Sequence, residues 1–198
     1  GLVDISLIPS IFLTGVDIYE GSSSLLSGTG GLGGSVALRS DLSQNQGHHL
    51  SINQRLTPAL AAVQTDASLQ YGSGRWKART AVYRDQADNT FKYSEQLGSR
   101  TFEAKRENAG RFMAGLSQDL QVNLSERTAL KFSGHALVSE RKIPSPIGIV
   151  SRGETQDDRI ARAMFSYKHI GDKAVHTLSY GLAIEEQIYQ APQALIRS

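Results

Sequence analysis

Long runs in which apolar and polar residues alternate constrain the fold of this chain more than any other feature. In the clearest run, Gly110 to Leu124, one side of the alternation carries Phe112, Ala114, Leu116, Leu120, Val122 and Leu124. The other side carries Arg111, Ser117, Asp119, Gln121 and Asn123. Because successive side chains of a β-strand point to opposite faces, this period of two predicts a long strand with one apolar and one polar face.

The same alternation predicts about seven long antiparallel strands. They are 47–56, 61–71, 75–84, 110–124, a run from Arg127 through Val138, one from Ala161 through Lys168, and one from Thr177 through Glu185. These runs are about 10 to 15 residues long, whereas soluble strands average about 5 to 6 and tilted membrane strands need about 9 to 11. The lengths favour a transmembrane β-barrel over the alternative, a soluble antiparallel sandwich with unusually long strands.

The connections between these runs alternate in length. Long charged loops are predicted at 85–108 and 141–156, and tight turns at Ser125-Glu126 and Gly171-Asp172. Outer-membrane barrels combine long outer loops with short periplasmic turns, so the alternation favours a barrel. The turn at 57–59 is the one short connection where a long one is expected.

Composition narrows the function classes. The formal charge is only +2, which gives no argument for a nucleic-acid partner, and the absence of Cys excludes disulfides and Cys-ligated metals. No apolar run approaches the roughly 20 residues of a spanning helix, so a membrane role would have to be built from strands. Because the sequence has neither an initiator Met nor a signal peptide, we expect it to be a piece of a longer protein.

The glycine-rich stretch from Ile8 to Arg39 is typical of a strand, a glycine corner, a glycine-rich turn and a second strand. Residues 28–33 match the GxGxxG dinucleotide pattern, which requires a following helix to hold a pyrophosphate. A strand-like alternation follows instead, so we expect no cofactor, and we interpret the glycines as positions of positive φ and close backbone packing.

No catalytic or metal-binding set stands out from the sequence. The adjacent His48 and His49 point to opposite faces if they lie on a strand, so they cannot easily share one ion. His135, His169 and His176 are isolated from one another along the chain. We therefore expect neither an enzyme nor a metal site.

Residues 2–40 resemble the C-terminal part of the plug of TonB-dependent outer-membrane receptors. The family pattern is Ile-Pro, a strand V-E-V-x-R-G, and then S-x-L-Y-G-x-G-x-x-G-G-x-I-N-I. The matching residues are Ile8-Pro9, Val16-Asp17-Ile18-Tyr19-Glu20-Gly21, Ser24-Leu25-Leu26-Ser27-Gly28, Gly30 and Gly33-Gly34-Ser35-Val36-Ala37-Leu38. The resemblance implies a plug segment at 1–42 and the first part of the barrel wall at 43–198.

The chain departs from the family at several positions. Glu20 stands where the family commonly has an arginine that pairs with barrel carboxylates, so a plug–wall ion pair of the usual polarity is not expected. Ser27 replaces the family's tyrosine and Ala37 its asparagine. About seven strands cannot close a barrel of roughly 22, so we expect a partial barrel, either a fragment or a truncated piece that associates.

The resemblance also implies a function. Such receptors sit in the outer membrane of Gram-negative cells and take up a scarce ligand, such as an iron–siderophore, haem or cobalamin, when a TonB-type inner-membrane energy transducer acts on the plug. Glu20, Gly21, Gly28, Gly30, Gly33 and Gly34 would form the plug corner and turn. The stretch 88–93 resembles part of the first long outer loop, which makes Asn89, Phe91 and Tyr93 candidate ligand-facing residues. The remaining alternative is a soluble secreted β-sandwich that serves as a binding or adhesion module.

Overall fold

The computed structural model describes residues 7–20, 34–40, 42, 46–145 and 153–191. These residues form strands and two single-turn 3-10 helices, Ser10–Phe12 and Pro58–Leu60, and they contain no α-helix. The strands are β1 Gly15–Glu20, β2 Gly34–Arg39, β3 Gly47–Thr57, β4 Ala62–Gly72, β5 Trp76–Ala87, β6 Phe91–Leu97, β7 Arg100–Arg106, β8 Arg111–Ser125, β9 Thr128–Lys142, β10 Thr155–Ile170 and β11 Val175–Gln190. The predicted all-β class is therefore confirmed.

Seven of these strands form one antiparallel sheet in the order β11-β10-β9-β8-β5-β4-β3. The seven correspond to the seven predicted runs, although several extend further than the alternation indicates. β5 continues to Ala87, and β10 begins at Thr155 rather than near Ala161. The residues of these extensions do not alternate between apolar and polar. They stay in strand conformation because they are hydrogen-bonded to the neighbouring strands.

The two ends of the sheet differ in the length of their connections. At one end, the long-connection end, the links are 58–61, 88–110 and 143–154; at the other, the short-turn end, they are 73–75, 126–127 and 171–174. The predicted alternation is thus present, including the short first link. Ala61 closes that link in the left-handed region at φ 45°.

The predicted loop 85–108 requires a correction. Its first residues belong to β5, and most of the remainder is a separate antiparallel hairpin made of β6 and β7. Gly98, at φ 64°, supplies the left-handed conformation at the tip, which glycine adopts without strain. The connection is long, as predicted, but it is ordered by its own strand pairing.

The two faces of the seven-stranded sheet differ in chemistry. On the polar face, buried side chains include Lys77, Arg79, Asp85, Ser117, Asp119, Ser139 and Asp158. On the apolar face, cross-strand registers align rows of large side chains such as Leu120, Phe132, Phe165 and Tyr180. Many side chains of this face stay exposed, with Ile184 and Leu178 at 73% and 72%. Burial is therefore inverted relative to a soluble protein, in which apolar residues are the ones most often buried.

The small apolar core lies on the polar face, under the start of the chain. Leu7 and Phe12 pack against Ala81 of β5 and Leu137 of β9. The docked segment, defined as the described residues 7–20 and 34–40, also contains the antiparallel pair β1–β2. The core contact positions the docked segment against the polar side of the sheet.

No helix in the described ranges is long and apolar enough to cross a membrane.

Candidate plug contact and outer connections

Four ion pairs between described residues lie on the polar face of the sheet; one joins Arg162 to Glu185 at 2.5 Å (Nη2 to Oε1), and the other three involve buried aspartates. Arg111 pairs with Asp85 at 2.6 Å (Nε to Oδ2), and Arg141 with Asp158 at 2.8 Å (Nη2 to Oδ2). Arg79 and Asp119 are further apart, with 3.7 Å between Nη1 and Oδ2. The Asp carboxylates are all buried, and a buried charge has to be paired or hydrogen-bonded because the protein interior solvates it poorly.

Arg79 holds the docked segment through its main chain. One terminal nitrogen lies 3.5 Å from the carbonyl oxygen of Phe12, and the other donates to the carbonyl oxygen of Ile11. Both carbonyls lie at the 3-10 turn Ser10–Phe12. A guanidinium presents several donors in a fixed plane, so one arginine can bind two neighbouring carbonyls.

A second polar contact joins the end of the docked segment to the same row of the sheet. Arg79, Asp119 and Ser133 stand directly opposite one another on β5, β8 and β9. The hydroxyl of Ser133 donates to Oδ1 of Asp119 at 2.5 Å, and the hydroxyls of Ser40 and Ser133 are 2.8 Å apart. One cross-strand row therefore contacts both the beginning and the end of the docked segment.

The predicted plug corner is described only in part. Glu20 and Gly34 are opposite each other in the β1–β2 register, so these two strands approach each other at the ends that flank the glycine-rich turn. Gly21, Gly28, Gly30 and Gly33 lie outside the described residues, as does the side chain of Glu20. Within the pair, Asp17 and Arg39 form an ion pair of 2.9 Å.

Of the three candidate ligand-facing residues, Asn89 has a structural part in the first long connection. It adopts φ 50°, its amide nitrogen donates to the carbonyl of Ala109 at 3.0 Å, and its main-chain N–H donates to the carbonyl of Leu60. Phe91 and Tyr93 share one face of β6, with ring centroids 6.1 Å apart in an edge-on arrangement. Phe91 is 42% exposed, so part of this aromatic pair faces outward.

Sequence reasoning missed Asn108, which closes the second long connection. It also adopts a left-handed conformation, with φ 52°. Its side-chain amide donates to the carbonyls of Ile143 at 2.8 Å and Glu154 at 3.0 Å, the two ends of the 143–154 connection. Asn is the non-glycine residue that tolerates this conformation best, so Asn108 before Ala109-Gly110 was the available signal.

A cavity of about 580 Å³ opens beside these connections. Its charged lining residues carry both signs and are Asp88, Arg111, Glu140, Arg141, Lys142 and Asp157. A lining of mixed sign does not select one ligand charge, so the cavity by itself identifies no ligand.

The two adjacent histidines have the predicted geometry. His49 shares the polar face with Gln70, whereas His48 is on the other face, where its ring lies 5.0 Å from that of Tyr71. Within the described residues, no group of three or more His, Asp or Glu side chains could hold a metal ion.

The chain matches no protein-family model, and no curated protein matches it.

Proposed function

We propose that the chain is part of an outer-membrane active transporter of the TonB-dependent type. In this proposal the docked segment is the end of the plug, the seven-stranded sheet is the first part of a transmembrane barrel wall, and the long-connection end faces the outside of the cell. The protein binds and admits a scarce ligand of the iron–siderophore, haem or cobalamin class and catalyses no covalent reaction.

The inverted burial of the sheet carries this proposal. A membrane barrel places apolar side chains against lipid and polar side chains toward its lumen. The sheet has this distribution over all seven strands, and the segment that resembles a plug lies on the polar face through Leu7, Phe12 and Arg79. The strand lengths, 11 to 16 residues, meet the 9 to 11 residues that a tilted strand needs to cross the bilayer at about 45°.

In this proposal, ligand binding takes place at the long-connection end of the sheet and ligand passage along its polar face. The aromatic pair Phe91–Tyr93 and the mixed-charge cavity supply contact surface for a ligand on the outside. The polar face provides a lining that a hydrated ligand can pass, provided that the docked segment moves aside. An inner-membrane transducer of the TonB type supplies the energy for that movement, and the partners of the protein are this transducer, the ligand and outer-membrane lipid.

The alternative, a soluble secreted β-sandwich, needs a second sheet to cover the apolar face. The second and third sheets in the described part of the chain are two-stranded. Neither covers Leu178 or Ile184, because both stay more than two-thirds exposed. This exposure favours the membrane wall over the sandwich.

A face-specific charge test separates the two interpretations. Leu182 and Ser179 are exposed residues of β11 on opposite faces of the sheet. An arginine on the lipid face costs about 2 to 4 kcal/mol near the bilayer midplane. In the full-length protein, Leu182→Arg should therefore reduce the amount assembled in isolated outer membranes several-fold, whereas Ser179→Arg should assemble normally. Equal, normal assembly of both variants would contradict a membrane wall.

Transport itself is tested by growth. Cells lacking their own uptake systems would receive the full-length protein and be supplied with one ligand at a time as the limiting source. We expect growth on one ligand class, and only in cells with an intact TonB-type transducer. Growth that is equal with and without the transducer would overturn active transport.

A further inference from the structure

The Arg79–Asp119 pair differs from the other ion pairs of the polar face. Both side chains are almost fully buried, at 5% and 2% exposure, yet their charged atoms are 3.7 Å apart, too far for a hydrogen bond. In the described structure, Nε of Arg79 and Oδ2 of Asp119 are buried without a hydrogen-bond partner. An unused donor and an unused acceptor thus sit on two adjoining side chains.

The docked segment explains why the pair stays open. The terminal nitrogens of Arg79 are directed to the carbonyls of Ile11 and Phe12, so its guanidinium is turned toward the segment. Asp119 uses its other oxygen to accept from Ser133. The same atom, Nη1 of Arg79, faces both Oδ2 of Asp119 at 3.7 Å and the carbonyl oxygen of Phe12 at 3.5 Å. Moving Nη1 to a hydrogen-bonded distance from Asp119 would satisfy the unused acceptor and would turn Nη1 away from that carbonyl.

We infer that Arg79 is a release switch shared between the docked segment and Asp119. In the docked state Arg79 anchors the 3-10 turn Ser10–Phe12. In the released state it closes onto Asp119, and this new contact compensates for the two carbonyls that it gives up. Asp119 therefore competes with the docked segment for the guanidinium of Arg79. Because Asp119 belongs to the sheet, the sheet itself favours release of the segment.

The two members of this ion pair should have opposite effects on docking. Arg79→Gln removes the anchor and should favour release. Asp119→Asn removes the charged competitor and should favour docking. An ion pair that served only to hold the structure together would shift docking in the same direction whichever partner is removed, because both substitutions break the same contact.

Release can be read directly from a single thiol. The 198 residues contain no cysteine, so Leu7→Cys, in a full-length protein whose cysteines elsewhere are replaced by serine, places one thiol in the buried cluster on the polar face. Full-length protein in isolated outer membranes is treated with a maleimide reagent, and the labelling rate at position 7 reports how often the segment leaves. Ala87→Cys, buried on β5 but outside that cluster, reports opening of the sheet itself.

The expected rates follow from the loss of charge-assisted hydrogen bonds. Arg79→Gln should speed labelling at position 7 by about tenfold or more, given the usual strength of hydrogen bonds to charged groups. Asp119→Asn should slow it. Arg141→Gln, which breaks the matched polar-face pair with Asp158, should leave it within about twofold, as expected for a distant site.

The outcomes separate the switch from the proposed function. Faster labelling at position 7 in both Arg79→Gln and Asp119→Asn would overturn the switch, as would a parallel rise at position 87, which would mean that the whole sheet had loosened. Neither result bears on membrane assembly, which the variants at Leu182 and Ser179 test. The release switch can therefore be disproved without disproving the proposed membrane wall.

Discussion

At the scale of the residue, Gly115 is the position at which the sheet admits the docked segment. A Cβ atom there would lie 2.9 Å from the main-chain oxygen of Ala136 and 3.0 Å from the ring of Phe12. The Phe12 ring also lies against His135, with 6.2 Å between centroids. A methyl group at position 115 would therefore crowd both this ring and the main chain of β9, so the absence of a side chain at Gly115 favours the packing of the docked segment.

Gly115→Ala should destabilise the protein by about 1 to 3 kcal/mol, the usual cost of inserting a methyl group into a packed site. The free energy of unfolding of the 198-residue chain in detergent micelles can be followed by the fluorescence of Trp76, its single tryptophan. Gly181→Ala is the matched control, because its new Cβ would meet its nearest atom at an ordinary 3.9 Å. Equal stability of the two variants would show that Phe12 does not depend on the space above Gly115.

Residue chemistry alone predicts the faces but not the contacts. The alternation places Asp119 and Arg111 correctly on the polar side, because a period of two is visible in sequence. It does not reveal the row of Arg79, Asp119 and Ser133, because that row depends on the cross-strand register of β5, β8 and β9, which joins residues far apart in the chain. The carbonyls that Arg79 binds carry no sequence signal at all, since every residue has one.

At the scale of the element, the seven long strands could be predicted from the sequence, but the hairpin within the first long connection was not predicted. Sequence reasoning missed the hairpin β6–β7, although Phe91, Lys92 and Tyr93 alternate and Gly98-Ser99 marks a turn. Its many charged residues made it resemble a loop. Local strand pairing stabilises it through backbone hydrogen bonds that do not require an apolar face.

Two asparagines, Asn89 and Asn108, donate side-chain hydrogen bonds to main-chain carbonyls of the two long connections. Asn108 bonds the carbonyls at both ends of the 143–154 connection, and Asn89 bonds Ala109 near the end of the 88–110 connection. Since each occupies the left-handed region, substitution by glycine removes the side-chain bonds while keeping the backbone conformation accessible.

Asn108→Gly should therefore loosen the second long connection alone. The amide of Ile143, which donates to the carbonyl of Glu154 at 2.9 Å, should exchange its hydrogen about thirtyfold faster once the two side-chain bonds, worth roughly 1 kcal/mol each, are lost. Hydrogen exchange read by mass spectrometry measures this rate. Asn89→Gly is the matched control and should leave the Ile143 rate unchanged; a similar acceleration in both variants would mean that the connections open as one unit.

At the scale of the whole molecule, the described sheet has two open edges and one open face. β3 and β11 end the strand order, and every residue of β11 is exposed. Unpaired strand edges and a large apolar face both favour association with other chains. In the proposed receptor, further wall strands and lipid cover these surfaces, so their exposure in these residues fits the wall of a larger barrel.

The 198-residue chain produced by itself should accordingly associate in water and disperse in detergent. Sedimentation velocity with and without detergent measures this, and we expect large species that shrink when micelles cover the apolar face. Charging that face with Leu178→Glu, Leu182→Glu and Ile184→Glu should reduce association in water if the face drives it, and should leave it unchanged if the β3 and β11 edges drive it. A monomer in water, with the sheet intact by circular dichroism, would contradict the membrane wall and favour the soluble sandwich.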